Sequence, residues 1–550
     1  MRPLCFRIPC AAGALALAFA GLFAADSRAA AAPLRDAIDA RIEEAWKRDG
    51  VAPAPPATDA EFLRRVFIDL VGTVPTHEEA QQFLDDGDPA KREKLIDKLL
   101  ADPRFAAQQA NVWDLVFIGR DPPGYDARVR PGFQKFLREQ FANNVPYDVW
   151  AGKILKAEGN TVDEGAPMFL AQFNRNAEDA TEAVTRTFLG MQLQCARCHD
   201  HPFEDYSQLD FYGMASFYAR LQNVSLGKNG QESKITIGEL NAGDVLFTGP
   251  VQNQKPGQKG EPVKAKFMKG AELAEPELPK DFTEPRNFPA NQDPPKPQFS
   301  RKDALADWIA NSDNPYFAKA VVNRVWGQFL GRGIAHPVDN LSDTNPPSHP
   351  ELLDALTAGF VAQKFDMRWL VREIVNSKAY QIGSTGEVDR ALPRSFERAR
   401  VRPLSAEELV AALRTATGFD EAMKAAGKDP DKEFGLGGEL LKIFGQPQNG
   451  VGDFMGGIFE HLYLNNGGEL RKLVRGPKGS LHDYVVNSPD PAEAKVDRMF
   501  LATLSRRPGD DERAKFVAYL TDTAGGGAPD ARAEEAIWAL VTSAEFRFNH

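Results

Sequence analysis

The residues with the clearest chemical capacity in this 550-residue chain run Gln194-Cys195-Ala196-Arg197-Cys198-His199-Asp200-His201-Pro202-Phe203. They contain a C-x-x-C-H core, the pattern of a c-type haem attachment site. Two thiols three residues apart can each add to a vinyl group of one porphyrin, and the adjacent imidazole then falls under the iron as an axial ligand. On this reading Cys195 and Cys198 are thioether anchors and His199 is the proximal ligand. His201 is too close in sequence to reach the opposite face of the ring. Met191, Met214, His336 and His349 are the nominees for a distal ligand. Five-coordinate iron, open to a small ligand, is the other outcome.

The same residues allow two further readings. Cys195, Cys198 and His201 make C-x-x-C-x-x-H, a donor set suited to zinc or another transition metal, with His199 or Asp200 completing a tetrahedron. Alternatively, Cys195 and Cys198 pair as a structural disulfide, which would stabilise little because it closes so short a loop.

Compartment follows from the other cysteines. Only Cys5 and Cys10 lie outside the motif, and both fall in the N-terminal segment. That segment has Arg2 and Arg7 followed by an uncharged run, Ala11 to Ala25, and small residues near Ala29 to Ala32. It is expected to be a Sec-type signal peptide over residues 1–30, since the apolar run is too short for a membrane span. The expected location is therefore periplasmic or secreted, with no transmembrane segment after signal removal. There a C-x-x-C pair must become a disulfide, a metal site or a haem site. Loss of two arginines takes the net charge from -11 to about -13, and an acidic chain without a basic stripe excludes a nucleic-acid partner.

The elements that must hold the motif are mostly helices. Thr58 to Glu61 and Thr76 to Glu79 are capping boxes, the first ahead of an apolar stripe at Phe62, Leu63, Val66, Phe67 and Leu70. Ser348 to Glu351 and Ser405 to Glu408 repeat the signal. Phe133 to Phe141 and Tyr147 to Leu155 carry aromatic stripes expected in the core. Glu178 to Leu189 is the helix that delivers the motif, and Gly190 can end it. Asp210-Phe211-Tyr212 and Phe217-Tyr218 would either wall a flat cofactor or fill the core. From Asn223 to Phe299 the pattern changes to short alternating runs at Ser233 to Ile237 and Val245 to Phe247, separated by Gly and Pro. The expected fold is therefore mainly α, with two helical domains, residues 31–222 and 300–550, joined by a small β insertion and extended linker over residues 223–299. Gly435 to Gly468 is expected to be irregular.

With its flanks, the motif resembles the paired domains of unknown function (domains fifteen-forty-nine and fifteen-fifty-three) of secreted, planctomycete-type cytochrome-like proteins. Leu63-Arg64-Arg65 through Gly72 and Pro75, and Phe188-Leu189-Gly190 through Asp210-Phe211-Tyr212, resemble the first domain. Asn314 to Phe317, Asn323-Arg324-Val325-Trp326, Phe329 to Gly333, Asn345 to Leu353 and the end of the chain are similar to the second. The resemblance implies no settled activity. Relatives often carry a cysteine-containing stretch after a Phe-Gly-x-Pro-like segment; here Phe444 to Pro447 stands without cysteines.

Other signals are weaker. His349, at the first turn of a helix, reads as a packing residue. Asp339, Asp343 and Asp354 could form a polar site near Arg324 and Arg332, although solvated acids and structural ion pairs explain them as well. The chain has no G-x-S-x-G, H-E-x-x-H or EF-hand pattern. Three functions follow: electron transfer or haem-based redox chemistry with a periplasmic redox partner; a metal-dependent enzyme on an extracytoplasmic substrate such as carbohydrate; or a non-catalytic binding scaffold.

Overall fold

A computed structural model describes residues 33–120, 130–229, 232–249, 260–385, 392–434, 440, 443–444, 462–464, 467–522 and 528–550. The expected signal peptide and most of the glycine-rich stretch lie outside the described residues.

The fold is mainly α. Helices α1 (Leu34–Asp49), α2 (Asp59–Val71), α3 (His77–Asp85), α4 (Lys91–Ala101), α5 (Pro103–Phe117), α6 (Arg130–Ala142) and α7 (Tyr147–Lys156) build the first part. The short α8 (Met168–Ala171) and α9 (Ala177–Val184) lead to the motif, and α10 (Gln208–Ala215) follows it. Among the described residues no helix is long and apolar enough to cross a membrane.

Local signals account for the starts. Thr76 and Glu79 form a full capping box on α3. At α2 only half of the box forms: Thr58 Oγ1 accepts from Glu61 N at 3.2 Å. The Glu61 carboxylate is drawn away to Arg65 (2.9 Å) and to the Ser384 N–H (2.7 Å). The aromatic stripes are core, as expected. Trp113 meets Trp150 edge-on at 5.6 Å, and Tyr147 stacks on Phe317 at 5.0 Å. Phe117, Phe169 and Phe188 close the same nest.

The β insertion is two small antiparallel ladders. β1 (Leu221–Asn229) pairs with β2 (Glu232–Glu239), with a bulge between Ser225 and Lys228. β3 (Val245–Phe247) pairs with β4 (Glu261–Val263). The insertion is tied to the helix that follows it. Glu239 accepts from the N–H groups of Arg301 (2.8 Å) and Lys302 (3.2 Å), at the start of α11 (Arg301–Ile309). The buried Arg301 guanidinium bonds Glu275 at 2.7 Å and Asp244 at 3.0 Å.

Helices resume with α12 (Phe317–Leu330), α13 (Pro350–Ala362) and α14 (Met367–Val375). The box expected at Ser348 is absent. Ser348 spends both its N–H (2.8 Å) and its hydroxyl (3.0 Å) on the carbonyl of Ile334, and α13 starts at Pro350 with no side-chain cap.

The buried apolar residues form two clusters. One runs from Ile38 to Phe396 and takes in Leu501, so α11 to α14 share a core with α1 to α10. The second gathers residues 404–546 and receives Ile68 and Val74 from the first part of the chain.

Candidate functional site

The motif is positioned by a change of helical pitch. α9 opens on Asn176, whose Oδ1 accepts from Asp179 N at 3.1 Å. After Val184 the helix widens into a π turn, Thr185–Leu189. Thr181 and Thr185 hydroxyls bond back to the carbonyls one turn earlier, at 2.7 and 2.8 Å. Such back-bonding competes with the regular ladder where the pitch changes. Phe188, inside this turn, is fully buried in the aromatic nest and anchors it.

Gly190 ends the turn, as its sequence position predicts. Its φ is +65°, and its N–H returns to Thr185 O. A side chain would fail here on two counts: the left-handed backbone, and a Cβ only 2.9 Å from Leu341 Cδ1. The close approach lets Leu341 N–H donate to Gly190 O at 2.7 Å, pinning the loop before α13 against the motif segment. Gln192 Nε2 reaches Asp339 Oδ1 at 3.3 Å on the same loop.

Cys195 lies in a 3₁₀ turn, Gln194–Arg197, with Cys198 as its C-cap. A three-residue period puts both thiols on one side of the turn. They are free thiols, Cys195 half-buried and Cys198 exposed, so the structural disulfide is not formed. Ala196 points inward and is fully buried. Arg197 binds α9 through Asp179 (2.8 Å) and Glu182 (3.3 Å). Its carbonyl accepts from Gln208 Nε2 (3.0 Å) and the Tyr212 hydroxyl (3.3 Å). Burial, then the nearby Glu178, pushes the Tyr212 phenol above its usual range.

The two histidines are set in opposite tautomers. His199 is exposed, and its Nδ1 lies 2.7 Å from the carbonyl oxygen of Asp200. A carbonyl can only accept, so Nδ1 carries a proton, and in the neutral ring Nε2 keeps the lone pair. His201 Nδ1 instead accepts from the backbone N–H groups of Glu204 (3.0 Å) and Phe203 (3.3 Å). Its neutral ring therefore carries the proton on Nε2. His201 builds the turn that follows, together with its own N–H to Tyr206 O at 2.8 Å.

Asp200 is also structural. Its Oδ1 accepts from Gln208 N at 2.8 Å, at the start of α10. Among the described residues no three His, Cys, Asp or Glu side chains gather where they could hold a metal ion. Cys195, Cys198 and His201 are thus close in sequence without converging.

The distal nominees differ in setting. Met191 and Met214 are core side chains with almost no exposure. His349 is buried, bonds Ser348 Oγ at 3.0 Å and lies 5.5 Å from the Phe396 ring. His336 is half-buried, before a cis bond to Pro337. Phe211, Phe217 and Tyr218 fill the core, which settles one of the two readings of that segment; Tyr212 alone turns to the motif.

Sequence reasoning missed the brace from α10. The signal was available: Ser207 and Asp210 form a full capping box that fixes the start of α10 just after the motif. It also missed Glu204, whose carboxylate bonds the Thr344 hydroxyl across the junction. Burial pushes Glu204 up, but bonds from Thr344 and Ser342 outweigh it and hold the carboxyl below its usual range. Phe203, in the turn after the thiols, stands 75% exposed, and Leu209, in the first turn of α10, 54% exposed.

Two family models match the chain. PSCyt2, a protein of unknown function (DUF1549), matches residues 37–223, and PSD1, a protein of unknown function (DUF1553), matches residues 301–434. No curated protein and no solved structure matches it. The first model ends where the β insertion begins, the second begins at α11, and the motif lies inside the first. The chain belongs to the proteins that carry this pair of domains of unknown function.

Proposed function

We propose that this protein is an exported haem c protein that serves electron transfer or haem-based redox chemistry in the periplasm. Cys195 and Cys198 hold the porphyrin, and His199 is the proximal ligand. In attachment, each thiol adds across one vinyl group. A sulfur–carbon bond forms at one vinyl carbon and the thiol hydrogen ends on the other, so no external oxidant or reductant is consumed. When bound, haem supplies one-electron transfer or a site for a small ligand.

The observation that carries this reading is the 2.7 Å contact between His199 Nδ1 and the carbonyl oxygen of Asp200. A ligating histidine needs its far nitrogen unprotonated, and a backbone carbonyl on the near nitrogen is a common way to secure that. Asp200 O provides it. The free, accessible thiols on one side of a 3₁₀ turn are the second support, and the exposed Phe203 and Leu209 offer apolar surface to a flat macrocycle.

The test is the intact mass of protein purified from its native envelope. A gain of one haem over the processed chain is expected, lost in Cys198→Ser. A mass equal to the bare processed chain overturns the proposal.

A further inference from the structure

The loop between α12 and α13, residues 331–349, grips the motif from both sides. Before the motif, Leu341 N–H donates to Gly190 O at 2.7 Å and Gln192 reaches Asp339 at 3.3 Å. After it, the Thr344 N–H (3.4 Å) and the Thr344 hydroxyl donate to Glu204. The loop is itself held by two anchors. Asn323, fully buried on α12, donates to the carbonyls of Ala335 (2.8 Å) and Val338 (3.1 Å) and accepts from Ala335 N–H at 3.0 Å. At the other end, Ser348 closes on the Ile334 carbonyl through its N–H (2.8 Å) and its hydroxyl (3.0 Å).

The second anchor rests on His349. Its Nδ1 lies 3.0 Å from the Ser348 hydroxyl. Its ring packs at 5.5 Å against Phe396, which in turn meets Trp326 edge-on at 5.2 Å. The residue is only 7% exposed, and its Nε2 is sealed from solvent with no partner among the described residues. A neutral imidazole leaves one unused acceptor or donor there. An imidazolium adds a buried charge and an N–H with nothing to receive it, which costs far more. His349 also precedes the first turn of α13, where the helix dipole opposes a cation.

None of the charged groups nearby bonds Nε2. Arg48 and Asp49, at the end of α1, pair with each other at 2.8 Å, and Glu351 is exposed on α13. On the segment that carries Phe396, Glu397 is taken by the Leu392 N–H (2.9 Å) and Arg398 (3.4 Å), while Arg394 acts on Asp49. Burial first, and then Arg48, hold the imidazole below its ordinary range, with Asp49 and Glu351 opposing. The closed loop therefore takes up a proton less readily than an open one, and it loses stability as pH falls below about 6.5.

We propose that His349 is a pH-sensitive latch on the motif, carried by the second family-matched domain and acting on the first. Neutral, it backs Ser348 and keeps the 331–349 loop closed on residues 190, 192 and 204. Protonated, it leaves its buried seat, the loop loosens, and the motif gains freedom on both sides of the thiols. The latch acts whatever the thiols carry, so it does not depend on the haem reading.

The test is amide hydrogen exchange of the full mature chain, read as protection factors so that the intrinsic pH dependence of exchange drops out. The Leu341 amide, bonded to Gly190 O, reports the closed loop directly. Its protection should fall at least about tenfold between about pH 7.5 and about pH 5 in the wild type, a local opening. The amides of helix Ala492–Leu504, in the second core, should keep theirs. In His349→Asn, whose carboxamide replaces the imidazole with a group that does not titrate, the fall at Leu341 should vanish. His349→Phe keeps a ring against Phe396 and serves as the second variant if His349→Asn does not fold. No fall in the wild type, the same fall in a folded variant, or a fall shared equally by helix Ala492–Leu504 overturns the latch.

Discussion

His199 and His201 stand two positions apart in one motif, and the sequence offers no reason to prefer either beyond adjacency to Cys198. Their partners separate them. One imidazole gives its Nδ1 proton to a carbonyl, and the other receives two backbone N–H groups at the same atom. The roles are therefore expected to split under mutation. On the proposed haem function, His199→Ala should keep the covalent group, because both sulfur linkages would remain, but lose the absorption bands of an imidazole-ligated iron. His201→Ala should retain those bands and lose about 1 kcal/mol of stability from the turn, the usual net worth of such hydrogen bonds. Absorption spectra, a haem-stained denaturing gel and urea titration of both variants decide it. Retained bands in His199→Ala with lost bands in His201→Ala would exchange the two roles. Residue types and spacing identified the motif from sequence. The tautomers were not legible there, because they depend on the φ/ψ path of residues 200–206.

Helix signals were read well where the polar side chain had no rival. Thr76 with Glu79 and Ser405 with Glu408 form as expected. Thr58 with Glu61 and Ser348 with Glu351 do not, because Arg65, Ser384 and Ile334, distant in sequence or across a turn, take the same atoms. The start of helix Asp510–Thr521 shows a carboxylate with both duties. Glu512 Oε2 accepts from Gly509 N at 2.8 Å and from Arg506 at 2.7 Å, while Arg506 also holds Glu545 at 2.6 Å. The Arg506 hydrogen bond, opposed by burial, lowers the Glu512 carboxyl from 4.5 to about 2. A depressed acid stabilises the fold fully above its unfolded value and loses that contribution as pH falls towards the folded one. The contribution should thus be complete above about pH 4.5 and fade towards pH 2. Since the Glu512 side chain is 40% exposed, solvent screening keeps the effect below about 1 kcal/mol. Urea midpoints measured between pH 5 and 2.5 should converge for wild type and Glu512→Gln at the acid end. Curves that stay parallel would remove Glu512 from the acid response.

At the scale of the whole molecule, pattern along the chain misses what joins its ends. The sequence marks a texture change at Asn223 and the return of helices at Ser300, and those elements are present. It does not reveal that residues 301–396 share a core with residues 38–218, or that Ile68 and Val74 belong to the core of residues 404–546. The link runs through two arginines on α2 that an amphipathic reading would place outside. Arg64 is fully buried, and burial lowers its pKa only to about 10, so it stays charged at neutral pH. It donates to the carbonyls of Phe546 (2.6 Å), Thr503 (3.1 Å) and Phe548 (3.4 Å), and its guanidinium lies over the Phe546 ring. Arg65 reaches the carbonyls of Tyr380 (2.6 Å), Ile382 (2.8 Å) and His550 (3.3 Å). Asp69, one turn on, accepts from Tyr380, Arg402 and Asn549, each at 2.8 Å. One face of α2 therefore closes the last residues of the chain onto the first domain. Arg64→Ala leaves buried carbonyls without donors and should cost about 3 kcal/mol, the upper range for hydrogen bonds to a charged group. Removing Phe546 to His550 should cost at least as much. Because both changes break the same contacts, the double variant should lose less than the two losses added, with a coupling of about 1 kcal/mol or more. Urea unfolding of the four proteins measures that coupling, and strict additivity would mean that Arg64 acts through the first core alone.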